Sequence, residues 1–152
     1  MASRADDWYR QAKRDLQHAR HALEDEEFEW ACFAAQQAAE KALKALYQTV
    51  SAEAWGHSVF ALLENLPQEL SAEEALKDVA RELDKHYIPP RYPNSYPQGA
   101  PYEYYTRAEA ERAIAHAERI LAFCQDHLSR QRGGPGTSQG SGGGADPPPA
   151  GD

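Results

Sequence analysis

The stretch FAAQQAAEKALKALY, residues 33–47, decides the fold. In it and just before it, apolar residues recur at every third or fourth position, which is the spacing of one helix face. These residues are Phe28, Ala31, Ala35, Ala38, Ala42 and Leu46. Because most of them are small, a neighbouring helix can approach this face closely. We therefore predict a helix at about residues 27–49 that packs against other helices.

The same periodicity recurs along the chain and predicts four further helices. They cover residues 6–24, 57–66, 71–85 and 106–129. The last two open on Ser71 with Glu74 and on Thr106 with Glu109, which have the spacing of a capping box. No segment shows sustained two-residue alternation, so we predict no sheet. The expected fold class is all-α, an up-and-down bundle of four or five helices.

The composition changes near residue 131. From there to the end, the chain holds eight of its ten glycines and almost no apolar side chain. We therefore predict one helical domain over residues 1–130 and a disordered Gly/Pro-rich tail over residues 131–152. No apolar run approaches the length of a membrane span, and the N-terminus has no signal-peptide core. These features predict a cytoplasmic protein without a membrane segment.

Charge and metal-ligand types exclude several function classes. The net charge of −8 argues against a broad basic face for nucleic acid, although it allows a small cationic pocket. Cys32 and Cys124 stand far apart within apolar helical patterns, which predicts buried, reduced thiols. The six histidines have no metal-binding spacing. We expect no metal and no cofactor.

The segment DKHYIPPRYPNSYPQGAPYEYYT, residues 84–106, differs from the rest of the chain. It holds six of the eight tyrosines, five of the ten prolines and, as its only arginine, Arg91. The prolines restrict the backbone, so the segment can be ordered without regular structure. Tyrosines around an arginine suit a nucleotide, whose base stacks while the guanidinium contacts phosphate. The residues equally allow a loop that covers the end of the bundle, with Arg91 paired to a carboxylate.

The second helix also carries polar residues at helical spacing. They are Gln36, Gln37, Glu40, Lys41, Lys44 and Gln48. The pattern is typical of a solvated face, on which Glu40 and Lys44 form an ion pair across one helical turn. As an alternative, Lys41 and Lys44 supply cations to one wall of a cleft beside the tyrosine-rich loop.

Four runs of sequence together resemble the HEPN family of helical domains. They are AKRDLQHARHAL, WACFAAQQAAEKALKAL, GHSVFALL and LDKHYIPPRYPNSYPQGAPYEYYTRAEAERAIAHAERIL, so the resemblance covers about residues 5–128. It implies a helical bundle that forms a homodimer, with the functional cleft at the dimer interface. Many members of the family resemble metal-independent ribonucleases and toxins. Others are encoded beside a minimal nucleotidyltransferase in toxin–antitoxin pairs.

The resemblance assigns the catalytic candidates only in part. The ribonuclease motif is an arginine followed, after four to six residues, by a histidine. Arg91 matches the arginine, but Tyr96, Pro97 and Gln98 stand where the histidine is expected. A tyrosine, with a pKa near 10, is a poor base at neutral pH, so we expect activity to be weak or absent. His57 and His86, outside the motif, remain candidates for the missing imidazole.

Three functional hypotheses follow. The first is a homodimer that binds a nucleotide or phosphorylated ligand without a complete ribonuclease motif. Its ligand-binding residues are Arg91, Tyr92, Tyr96, Lys41, Lys44 and His57. The second is a metal-independent endoribonuclease toxin with Arg91 and Tyr96 as catalytic residues, acting on RNA. The third is a partner of a separately encoded nucleotidyltransferase.

Overall fold

A computed structural model of the protein describes residues 3–50 and 52–139, with side chains described as far as residue 131. Within these residues there are five α-helices and no strand. The helices are α1 Ala5–Glu24, α2 Phe28–Tyr47, α3 Val59–Glu64, α4 Glu74–Asp84 and α5 Arg107–Gln139. Short 3-10 helices cover Gln68–Leu70, Pro93–Ser95 and Pro101–Glu103. The predicted all-α bundle is confirmed, and no described helix is long and apolar enough to cross a membrane.

Helix α2 lies at the centre of the bundle and packs against α1, α3, α4 and α5. Its predicted packing face is confirmed: Ala31, Ala35, Ala38, Ala42 and Leu46 are wholly buried. Alanines bring the backbones of neighbouring helices close to α2, because little side-chain volume separates them. Any polar residue of α2 that faces a neighbouring segment is therefore enclosed by it.

The polar face of α2 is not the solvated face that its pattern suggests. Gln36 is wholly buried and Glu40 is only 4% exposed. The chain segment before α3 covers this face, and the side-chain amide of Gln36 donates a hydrogen bond of 2.9 Å to the carbonyl of His57. The predicted ion pair between Glu40 and Lys44 is confirmed at 3.0 Å.

The two predicted capping boxes have opposite outcomes. At α5 the box is confirmed: the Glu109 N–H donates to Thr106 Oγ1, and the Thr106 N–H donates to the Glu109 carboxylate, both at 3.1 Å. At α4 it is wrong, because the Ser71 N–H donates to the carbonyl of Gln68 and closes the preceding 3-10 turn. Helix α4 begins three residues after Ser71, at Glu74.

The last helix is longer than its sequence predicts. It extends to Gln139, beyond the predicted end near Ser129. Residues 140–152 of the predicted tail lie outside the described residues, and the domain boundary at residue 130 stays a prediction.

Both cysteines are free and buried, as predicted. Burial raises the pKa of the Cys32 thiol to about 12 and also raises that of Cys124. Each thiol is therefore protonated at neutral pH and is a poor nucleophile. Their role in the structure is packing.

Asp84, the last residue of α4, holds the start of α3. Its carboxylate accepts hydrogen bonds from the Val59 N–H at 2.6 Å, the Phe60 N–H at 3.1 Å and the Ser58 hydroxyl at 2.7 Å. Ser58 in turn caps α3 by accepting from the Ala61 N–H at 3.0 Å. A carboxylate at a helix N-terminus is favourable because it meets unpaired N–H groups. This contact fixes the segment before α3 relative to the loop that follows α4.

Replacing Asp84 with alanine should destabilise the protein. The substitution leaves two backbone N–H groups without their charged acceptor, so we expect the free energy of unfolding to fall by about 3 kcal/mol. Urea denaturation measures the change. Asp78→Ala is the matched control, because Asp78 is on the same helix and pairs with Arg81 at an exposed position. Equal denaturation midpoints for the two variants would contradict this account of Asp84.

Candidate functional site

Arg91 lies in the loop between α4 and α5, and aromatic rings hold its guanidinium group. The central carbon of the group is 4.3 Å from the ring centroid of Phe33, 4.6 Å from that of Tyr87 and 5.2 Å from that of Tyr92. The Nε–H donates a hydrogen bond of 2.8 Å to the carbonyl of Tyr87. Stacking on aromatic faces stabilises a cation without neutralising it.

Arg91 has no anionic partner in the part of the chain whose side chains are described. Those residues form ten ion pairs of Lys or Arg with a carboxylate and two histidine–carboxylate contacts, and Arg91 belongs to none of them. The alternative interpretation of the loop pairs Arg91 with a carboxylate. The described residues form no such pair. The terminal guanidinium nitrogens therefore remain available to an anionic ligand.

His57 packs against the same tyrosine as Arg91. Its imidazole stacks on the ring of Tyr87, with centroids 4.7 Å apart and planes at 17°. Its Nδ1 lies 3.0 Å from Glu40 Oε2, while the side chain stays 55% exposed. A carboxylate at Nδ1 favours the proton on that nitrogen, which leaves Nε2 as the nitrogen that can accept a proton.

Glu40 is a buried carboxylate that satisfies its hydrogen bonds within α2. Lys44 Nζ donates to Oε2 at 3.0 Å, and the Gln37 side-chain amide donates to Oε1 at 3.1 Å. A buried carboxylate without such partners would be strongly unfavourable. Because Glu40 sits on a packed helix, it gives His57 a fixed position.

We refer to Phe33, Glu40, His57, Tyr87 and Arg91 as the Arg91–His57 cluster. Sequence reasoning missed three of its members as site residues. Tyr87 belongs to the tyrosine-rich segment, but nothing in the sequence distinguishes it from the other five tyrosines. Phe33 and Glu40 become site residues only because the segment before α3 and the loop after α4 both cover α2.

The structure separates the predicted site residues into two groups. Tyr92 is 48% exposed beside Arg91, and Lys44 is joined to His57 through Glu40. Lys41, in contrast, pairs with Asp15 of α1, so the predicted cationic wall of Lys41 and Lys44 is divided.

Tyr96 lies in a different part of the loop. Its ring stacks on that of Tyr104, with centroids 4.1 Å apart, and it lines a groove of about 410 Å³ together with His86 and Tyr105. No hydrogen bond or ring contact joins Tyr96 to Arg91 among the described side chains. The assignment of Tyr96 as a catalytic residue stays a prediction.

His86 does not enter the Arg91–His57 cluster either. Its ring lies against Tyr105, and its Nδ1 is 3.4 Å from the Tyr105 hydroxyl. Burial lowers the pKa of His86 below its ordinary value of 6.5, so the neutral imidazole is favoured. Of the two histidines outside the motif, His57 is therefore the one that shares an aromatic neighbour, Tyr87, with Arg91.

The arrangement can bind an anion and exchange a proton. Within the described residues, no three His, Cys, Asp or Glu side chains group as metal ligands. Arg91 offers a planar donor fork to a phosphate, and the imidazole of His57 stacks on Tyr87, the ring that Arg91 also contacts. Phosphate binding and proton transfer beside it are thus the chemistry that these side chains allow.

A domain family and an individual protein are each similar to this chain over most of its length. The HEPN domain model matches residues 5–127. A protein of Methanocaldococcus jannaschii named "Putative toxin MJ1304" is 28% identical over 133 residues, which cover 82% of this chain and 88% of the relative.

Solved structures are similar over most of the chain. TT1696 from Thermus thermophilus is 48% identical, with a TM-score of 0.80, over 82% of this chain and 98% of its own. ST0689, an archaeal HEPN homologue, is 44% identical, with a TM-score of 0.70, over 84% and 99%. The HEPN domain protein TM0613 from Thermotoga maritima is 46% identical, with a TM-score of 0.67, over 82% and 98%.

The partly buried His86 should make stability depend on pH. Since burial lowers its pKa, the unfolded chain takes up a proton near pH 6.5 that the folded protein does not. The stability is therefore fully present above that pH and falls as the pH drops below it. We expect a lower urea midpoint at about pH 5.5 than at about pH 7.5, with a smaller difference in His86→Gln. The exposed His18→Gln variant is the control, and an unchanged pH dependence in His86→Gln would contradict the prediction.

Proposed function

The chain belongs to the HEPN domain family, and we propose that it binds a nucleotide or another phosphate-bearing ligand at the Arg91–His57 cluster. The observation that carries this proposal is the guanidinium of Arg91, which rests on three aromatic rings without a carboxylate partner among the described side chains. A planar cation in this state binds phosphate through two parallel hydrogen bonds. The exposed ring of Tyr92 is placed to stack on a base.

The rings and the Tyr87 carbonyl also prepare Arg91 for binding. An arginine free in solvent loses side-chain entropy when a ligand immobilises it, and this loss weakens binding. Here the hydrogen bond from Nε and the ring contacts already restrict the side chain. Binding a phosphate therefore costs little further side-chain entropy at Arg91, and the interaction is weakened less than at an unrestrained arginine.

Arg91→Ala should weaken the binding of ATP or a short RNA at least about ten-fold, because one charged, bidentate contact is lost. Arg91→Lys, which keeps the charge without the planar fork, should be intermediate. Isothermal titration calorimetry measures both.

Arg107→Ala is the control for this experiment. Arg107 also stacks on an aromatic ring, that of Phe28, but it is already paired with Glu26. Its replacement changes the net charge of the protein by the same amount as Arg91→Ala. Equal affinities in the two variants, or no binding by the native protein, would reject the Arg91 site.

The second candidate function is a metal-independent endoribonuclease toxin. It is favoured by His57, whose Nδ1 is bound to the buried Glu40 as in a general base held by a carboxylate. His57 Nε2 takes the proton of a ribose 2′-hydroxyl, and the oxygen attacks the adjacent phosphorus. The 5′-oxygen leaves and receives that proton, which gives a 2′,3′-cyclic phosphate, while Arg91 stabilises the charged intermediate. The name of the M. jannaschii relative supports a toxin.

Cleavage of labelled RNA in EDTA tests the second candidate. If this candidate is correct, the native protein cleaves the RNA, and Arg91→Ala and His57→Ala each lose at least about 100-fold in rate, because each removes one catalytic contribution. Full activity in His57→Ala would reject His57 as the base. A native protein without activity and an active Tyr96→His variant would instead show that a histidine at the motif position is required.

We also propose a homodimer whose interface borders the cluster. Trp30, Ile88 and Tyr92 are each more than two-fifths exposed, and Trp30 packs edge-on against Phe33, beneath Arg91. Apolar surface that continues into a polar site is typical of an interface. The toxin name of the relative supports a toxin–antitoxin partnership, and we propose a separately encoded nucleotidyltransferase as that partner.

A further inference from the structure

A second concave surface lies beside the Arg91–His57 cluster, at the C-terminal end of α2. It is a groove of about 470 Å³ between α1, α2 and the segment before α3. Its aromatic side chains are Trp8, Tyr47 and Trp55, and its polar side chains include Lys44, Gln48 and Glu53. None of the functions described above uses this groove.

Trp55 has an exposure that folding alone does not explain. It is 75% exposed, although an indole gains more from burial than almost any other side chain. The backbone two residues later is fixed, because the carbonyl of His57 accepts a hydrogen bond from the buried Gln36. Trp55 is therefore an exposed ring on a segment that is held in place.

Lys44 connects the groove with the Arg91–His57 cluster. It lines the groove, and its Nζ donates to the same Glu40 oxygen that His57 Nδ1 contacts, both at 3.0 Å. Trp55 also precedes His57 by only two residues, which limits the separation of their Cα atoms to about 7 Å. A chain-like ligand held at the cluster can thus reach the groove.

The charges of the groove favour a neutral flat group over a phosphate. Glu40 already neutralises Lys44, and Glu53 adds a negative charge. The whole chain has a net charge of −8, so long-range attraction of a polyanion is weak. Stacking on aromatic rings is the interaction left to provide affinity, and it accepts any base.

We propose that the groove between Trp8 and Trp55 binds an unpaired nucleobase of the same single-stranded RNA whose phosphate contacts Arg91. The inference rests on the proposed function, because it extends the ligand of the Arg91–His57 cluster along the strand. The groove is a base subsite, and the cluster is the phosphate site. The protein accordingly prefers an oligonucleotide to a mononucleotide.

The experiment compares a labelled single-stranded RNA of about eight nucleotides with an abasic strand of the same length, by fluorescence anisotropy. Trp55→Ala should bind the intact RNA about ten-fold more weakly and the abasic strand equally well. Trp55→Phe, which keeps a ring, should be intermediate. Tyr102→Ala, which removes another exposed aromatic ring, is the control and should match the native protein.

The dependence of binding on salt concentration distinguishes the contribution of the groove from that of the Arg91–His57 cluster. Between about 50 and 300 mM NaCl, the effect of Trp55→Ala should stay constant, whereas the effect of Arg91→Ala should shrink. If Trp55→Ala and Tyr102→Ala bind RNA equally while Arg91→Ala binds weakly, the groove is not a base subsite and the phosphate site stands. If Arg91→Ala binds both strands like the native protein, the proposed function is rejected. The inference that one RNA strand contacts both the Arg91–His57 cluster and the groove is then rejected as well.

Discussion

A carboxylate enclosed by helices must find hydrogen-bond donors, and this constraint at Glu40 organises the candidate site. The central helix supplies three of the donors, Lys44 from its next turn and Gln36 and Gln37 from its previous turn. The fourth partner is His57, which lies on a segment that crosses the helix. Satisfying the buried charge therefore also sets the position and tautomer of the imidazole. The position of His57 in the site thus follows from the hydrogen bonds that the buried Glu40 requires.

The two loops that meet over α2 depend on each other through Asp84. This carboxylate fixes the start of α3, so the segment with His57 is held relative to the end of α4. From there the chain continues into Tyr87, whose ring stacks on His57, and then into Arg91, whose guanidinium contacts that same ring. Short-range interactions of this kind position an irregular loop without regular secondary structure. The prolines contribute by limiting the alternatives open to the unfolded chain.

The helices were predictable from sequence because apolar spacing reports directly on burial, as the alanine face of α2 shows. The site was predictable only in part. Arg91 stood out as the sole arginine among tyrosines, and the resemblance to the family directed attention to it. Glu40 did not, because a glutamate four residues before a lysine is typical of a solvated face, and only the crossing segment buries it. Lys41 and Lys44 look equivalent in the sequence, yet Asp15 of another helix takes one and Glu40 takes the other.

The resting state of Arg91 has a consequence for the speed of binding. An arginine held by a carboxylate must first break an ion pair before it can accept a new anion, and that step slows association. Arg91 rests on ring faces instead, so a phosphate that binds there as proposed breaks no ion pair of Arg91 among the described side chains. Encounters with different ligands should then succeed at similar rates, and the protein would discriminate among them by how long each one stays.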